Sequence, residues 1–187
     1  EHKYIFIHIP KTAGNSIKKT LMGNYELVHR NIDEYEDSSD YFKFSFVRNP
    51  WDRAVSAYQF VIQGGTEYVQ PDENSLYATE QFTSFETFAT QWLPNADLSK
   101  EDVVFEPQYK YVCDEQGELI VDYLGKLEDL TDGIAYIAKK LAIDIEVQKL
   151  NQSTKTKKSY RDYYTEASKE SIRKVYQKDI DLFGYEF

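Results

Sequence analysis

The chain has 187 residues, 41% of them hydrophobic and 16% aromatic, which is enough apolar surface for one cored domain and too much for a disordered chain. Its formal net charge of -10 excludes general binding to nucleic acid or to an anionic membrane, since both need a basic face, but it leaves room for a small basic pocket. The single cysteine, Cys113, excludes an intrachain disulfide and a thiolate zinc cluster, and it reads as a small buried hydrophobe.

In chain order, residues 4–9 (YIFIHI) are β-branched and aromatic, apolar on both faces apart from His8, as a buried parallel strand is. Residues 25–29 (YELVH) read as a second short strand. Residues 42–47 (FKFSFV) alternate, with Phe42, Phe44 and Phe46 on one face, and predict a third. Behind Pro50, residues 52–62 carry helical spacing with Val55, Phe60 and Ile62 as apolar anchors. Residues 63–80 are Gly-rich and polar and read as a loop; residues 119–124 (LIVDYL) predict a fourth strand. A helix follows Asp132, with Ile134, Ile137, Ala138 and Leu141 on its apolar face. Residues 151–162 (NQSTKTKKSYRD) form a polar, basic loop. The last helix runs through Ile172, Val175, Tyr176, Asp179, Ile180 and Phe183 and stops at Gly184. Strands alternating with helices predict an α/β fold with a central, mostly parallel sheet, and a single domain spans 1–187. No long apolar run and no signal-like segment is present, although the chain opens on Glu1, so an upstream anchor or leader is left open.

Two stretches carry chemistry. The first strand ends in PKTAGNSI, a tight turn followed by a helix start. There the helix amides and dipole favour a phosphate or sulfate, with Gly14 permitting unusual backbone and Ala13 permitting close approach. Thr12, Asn15 and Ser16 add side-chain donors, and Lys11 adds a mobile charge. The alternative is an ordinary capped helix with Lys11 solvated. The Walker A order, in which Gly precedes Lys and then Ser or Thr, is absent, which argues against a kinase or other P-loop NTPase. The second stretch, FSFVRNPWDRAVSAY at 44–58, ends a strand on Val47, sends Arg48 off its carboxyl edge and has Ser56 eight residues later. Arg48 fits a bidentate grip on an anion at the sheet edge; the alternative is surface pairing of Arg48 and Arg53 with Asp52 or glutamates.

Taken together, FIHIPKTAGNSI and FVRNPWDRAVSAY resemble the sulfotransferase family that includes the Golgi carbohydrate sulfotransferases and small bacterial members. The stretch at 107–130, LNQS at 150–153, YRDYYTEAS at 160–168 and the VYQKDIDLFGYEF tail extend the resemblance over nearly the whole chain. It implies a P-loop-like three-layer domain and a donor, 3′-phosphoadenosine 5′-phosphosulfate (PAPS), with adenosine 3′,5′-bisphosphate (PAP) as product. By the same resemblance Lys11, Thr12, Ala13, Gly14, Asn15 and Ser16 cradle the 5′-phosphosulfate, and Arg48 and Ser56 clamp the 3′-phosphate. The family usually has Thr where this chain has Asn15, which can still donate a hydrogen bond.

The resemblance also implies the catalytic pair: Lys11 neutralises charge on the leaving oxygen, and a histidine between the two motifs acts as base. His29, 19 residues before Arg48, fits that role, with Glu26 or Glu34 as substitutes. His2 is terminal, and His8 reads as a buried core histidine. The run Lys155, Lys157, Lys158 and Arg161 is either a solvated loop or a lid over the donor in which Ser153 or Lys158 touches phosphate. Among Tyr160, Tyr163 and Tyr164, at least two are expected in the core, and one is a candidate to stack on adenine. Trp51 is expected to pack beside the clamp, while Gln108 and the 63–80 loop face the acceptor. No metal is demanded. The acceptor is expected to be a hydroxyl of a glycan or a small metabolite, and the setting a bacterial-type cytoplasm. The alternative functions are a non-catalytic PAPS- or PAP-binding module and, further off, a P-loop-type kinase.

Overall fold

A computed structural model describes residues 3–21, 40–64, 77, 79–143 and 158–187. In chain order its elements are β1 (Tyr4–Ile7), α1 (Gly14–Leu21), β2 (Phe42–Val47), α2 (Pro50–Ile62), α3 (Phe85–Thr87), α4 (Tyr109–Val112), β3 (Tyr123–Lys126), α5 (Leu130–Leu141), α6 (Glu166–Val175) and α7 (Gln177–Phe183), with short 3-10 and π turns between them. The contacts group these into two compact units, residues 1–48 with 108–157 and residues 49–107 with 158–187.

The first unit is α/β. Among the described residues its three strands lie in the order β1-β2-β3, both pairings parallel, with helices flanking them. The alternation in FKFSFV becomes β2 as expected: Phe44 and Phe46 are fully buried among Phe6, Ile17, Leu130, Ile134 and Ile137. Ser45 and Val47 on the opposite face are buried too, so the strand is covered on both sides, as parallel sheets require. The Ser45 hydroxyl donates to the Ile7 carbonyl at 2.7 Å. Gly125 on β3 and Gly133 on α5 make room for the Phe46 ring, which a Cβ at either would meet within 2.6 Å.

The fourth strand starts later than 119–124 suggests. Asp114 to Gly117 form a tight turn that pairs Leu119 antiparallel with Cys113, so Leu119 belongs to a small hairpin and stays exposed. Sheet pairing resumes only at Tyr123. β1 likewise ends at Ile7, though His8 and Ile9 remain buried. Cys113 is buried, as expected.

The second unit is helical around an aromatic core. α2 buries Trp51, Ala54, Val55, Ala57, Tyr58 and Val61 against Phe82, Phe85, Phe88, Leu93 and Phe105. Of its three expected anchors only Val55 is buried; Ile62 is exposed and Phe60 half-buried, because the inward face runs through Ala54, Tyr58 and Val61. Asn49 caps α2 by accepting from the Trp51 and Asp52 amides, and Pro50 supplies its first turn. The expected single helix over 172–183 is two. Tyr176 leaves helical geometry where its ring enters the core and its hydroxyl donates to the Phe105 carbonyl at 2.8 Å. Gly184 ends α7 in the left-handed conformation, φ 62°.

The strand at 25–29, His2, Glu26, His29, Glu34, Ser153, Lys155, Lys157 and most of the 63–80 loop lie outside the described residues. Among the described residues no helix is long and apolar enough to cross a membrane.

Candidate functional site

β1 and β2 are parallel neighbours, so both leave the sheet at one edge, the carboxyl edge at which open α/β sheets take ligands. Past β1 the chain turns through two left-handed residues, Lys11 at φ 71° and Ala13 at φ 61°. Thr12 between them has no positive φ and is fully buried, and its hydroxyl donates to the Ile9 carbonyl at 2.8 Å. Tight turns with left-handed residues are among the backbone shapes that present N–H groups to an anion. The left-handed conformation costs a non-glycine residue about 1–2 kcal/mol. The Ala13 carbonyl then accepts from the Ser16 and Ile17 amides at 2.9 and 3.1 Å, which starts α1. The first amides of α1 have no partner within the helix and lie at the positive end of its dipole.

Two expectations about this turn change. Gly14 is not the residue with unusual backbone; it is the first helical residue of α1, without a positive φ. It is glycine because the His8 imidazole occupies the space beside it: a Cβ there would sit 1.8 Å from His8 Nε2. His8 is buried as foreseen, beside Gly14 and with its ring centre 5.8 Å from that of the core residue Phe6. Thr12 is the second change, since its hydroxyl hydrogen is committed to Ile9, and what it offers at the turn is its backbone. Asn15 is exposed, and Lys11, Ala13 and Ser16 are half-buried.

Arg48 follows the last residue of β2 and is half-buried. Its guanidinium Nη1 donates to the Lys11 carbonyl at 3.1 Å, so the arginine of the second motif touches the turn of the first. Its own backbone is held by Gln108. The Arg48 amide donates to Gln108 Oε1 at 2.9 Å, and Gln108 Nε2 donates to the Arg48 carbonyl at 2.9 Å. Gln108 is fully buried, so its amide faces Arg48 and not an acceptor outside. Nothing in the sequence PQYKYV points to this partner.

In the second unit, Ser56 is half-buried on α2. Arg53 is buried, against the alternative reading in which it pairs at the surface. Trp51 packs as expected: it is buried, its ring stands edge-on to Phe187, and Nε1 donates to the Lys169 carbonyl at 3.0 Å. Tyr164 donates to the Trp51 carbonyl at 2.8 Å, and burial pushes its phenol well above the usual range. Tyr163 accepts from Gln59 Nε2 at 2.7 Å. Tyr160, Tyr163 and Tyr164 are all half-buried against the same core, Tyr160 with its ring edge-on to Phe187. Lys158 is exposed with its ammonium 4.8 Å from the centre of the Tyr163 ring, and the Arg161 guanidinium lies 4.8 Å from the Tyr160 ring. Among the described residues no three His, Cys, Asp or Glu side chains gather as a metal ion needs.

The model of the sulfotransferase family matches residues 1–186. Carbohydrate sulfotransferase 10 of Xenopus laevis is 24% identical over an alignment of 235 residues that covers 99% of this chain. The chain spans 65% of the length of that relative. No solved structure matches. With a family model matched over all but the last residue, the chain belongs to the sulfotransferase family.

Proposed function

We propose that the protein transfers a sulfuryl group from PAPS to a hydroxyl of a carbohydrate acceptor, as one P-loop-like, three-layer domain over 1–187. The observation that carries this reading is the bond from Arg48 Nη1 to the Lys11 carbonyl at the carboxyl edge of the parallel sheet, beside a turn with two left-handed residues at the start of a helix. Strand-end arginine, amide-lined turn and helix N-terminus suit a ligand with two anionic groups, and PAPS has a 3′-phosphate and a 5′-phosphosulfate. The carbohydrate acceptor is supported by the name of the Xenopus laevis relative.

In this reading Lys11, Thr12, Ala13, Gly14, Asn15 and Ser16 take the 5′-phosphosulfate, Thr12 through its backbone. Arg48 and Ser56 take the 3′-phosphate, by the family pattern, and Ser153 and Lys158 come from the basic loop to the donor. The acceptor oxygen forms the new bond to sulfur while the bond from sulfur to the 5′-phosphate oxygen breaks. PAP leaves with that electron pair, and the acceptor proton goes to His29. The Lys11 ammonium and the helix amides stabilise the negative charge growing on the leaving oxygen. A cytoplasmic setting belongs to the proposal as well, and a single cysteine is compatible with it.

The test is transfer of labelled sulfate from PAPS to a panel of hydroxylated glycans and small metabolites. The expected result is label in at least one glycan, abolished in Lys11→Ala while PAP binding persists. Binding of PAP without transfer to any acceptor would instead favour a non-catalytic module, and transfer unaffected in Lys11→Ala would overturn the mechanism.

A further inference from the structure

The β1–β2 ladder ends at Ile7 opposite Ser45, and the β2–β3 ladder ends at Val47 opposite Lys126. Arg48 is therefore the first residue of this chain segment beyond the ladders, at the edge where a ligand would sit. Its backbone nevertheless makes a strand-like pair of hydrogen bonds, to the side-chain amide of Gln108, both at 2.9 Å. A primary amide presents an acceptor and a donor in one plane in this way. Gln108 is fully buried, and burying an amide is costly unless it is bonded. The next link outward is the Arg48 guanidinium on the Lys11 carbonyl, at 3.1 Å. Gln108 thus fixes the Arg48 backbone, and through it the direction in which the guanidinium leaves the sheet edge.

We propose that Gln108 is a positioning residue that sets the selectivity of this site for a 3′-phosphorylated nucleotide, acting through the backbone of Arg48. This rests on the reading above, in which Arg48 takes the 3′-phosphate. A bidentate arginine contact is directional, so it depends on where the backbone carrying it is held. Gln108 has no charge of its own to offer and faces Arg48, so its effect appears in discrimination between nucleotides and not in general affinity.

The test compares the affinities for PAP and 5′-AMP by calorimetry in the wild-type chain, Gln108→Met, Arg48→Ala and the double variant. Gln108→Met keeps length and volume and removes both hydrogen bonds. The expected result is a fall of about tenfold in the PAP to 5′-AMP affinity ratio, with 5′-AMP affinity little changed. In the Arg48→Ala background the same substitution changes the ratio no further. A purely structural role for Gln108 would lower both affinities together; an unchanged ratio in Gln108→Met, or an equal fall for both ligands, overturns the proposal. Should Gln108→Met not fold, Gln108→Asn supplies the same amide one methylene short, and the ratio is expected to fall there too; a wild-type ratio in Gln108→Asn overturns the proposal. A wild-type chain that itself does not prefer PAP overturns the assignment of Arg48 first, and this inference with it.

Discussion

Lys11 meets two opposed demands. In the proposed mechanism its charge stands beside the leaving oxygen, but its backbone is left-handed at φ 71°, a conformation glycine would adopt more easily. Lys11→Ala is therefore expected to lower turnover by about 10²–10³-fold, the range for losing one preorganised charge-stabilising group, with PAP binding largely kept. Lys11→Gly is expected to lose the same activity while melting higher than Lys11→Ala, by about 1 kcal/mol of relieved strain; equal melting of the two would remove the strain argument. Gly14 is the neighbouring constraint. A Cβ there meets His8 Nε2 at 1.8 Å, so Gly14→Ala is expected to destabilise by about 1–3 kcal/mol, and less so in a His8→Ala background. Thermal melts of the two singles and the double variant check this; equal losses in both backgrounds would show that His8 is not the obstacle. The motif residues were legible in the sequence as residues. What was not legible was why each is there, because the contact between His8 and Gly14 and that between Gln108 and Arg48 depend on side-chain directions that no local spacing encodes.

At the scale of elements, the ends are what the sequence read least well. FKFSFV matched β2 because alternation reports a strand directly. LIVDYL was misplaced because its apolar content is shared between a hairpin at Leu119 and a sheet strand from Tyr123, and composition cannot show where pairing changes partner. The C-terminal periodicity was helical on both sides of Tyr176, which hid the break made by one buried ring. α5 offers an engineering test of a helix end. Its C-cap, Ala142, is left-handed at φ 51°, where glycine is the usual residue. Ala142→Gly is expected to stabilise the first unit by about 1 kcal/mol, read as a higher unfolding midpoint. A lower midpoint would mean that the loss of chain entropy outweighs the strain.

For the molecule as a whole, the alternation of strand and helix revealed the parallel α/β sheet, whereas the two compact units escaped the sequence because each is assembled from separated stretches. Tyrosines pack in and against the second unit's core, and this gives it a pH dependence. Burial raises the phenols of Tyr164 and Tyr176 above their ordinary value of 10.0. Below that value both folded and unfolded chains keep the proton, so stability does not depend on these groups. Above it the unfolded chain ionises first, so stability falls as pH rises toward the raised folded values. Denaturation midpoints are expected to drop on the alkaline side of pH 10, and less steeply in Tyr164→Phe; a midpoint flat through that range would contradict the burial of these rings. The central claim concerns the ligand, in an acidic chain of net charge -10 whose proposed anion site is built from a few local groups. It is tested most directly by calorimetric titration of the wild-type protein with PAP, 5′-AMP and magnesium ATP. The account predicts PAP binding that weakens sharply without the 3′-phosphate. Indifference to the 3′-phosphate, or a preference for magnesium ATP, would contradict it.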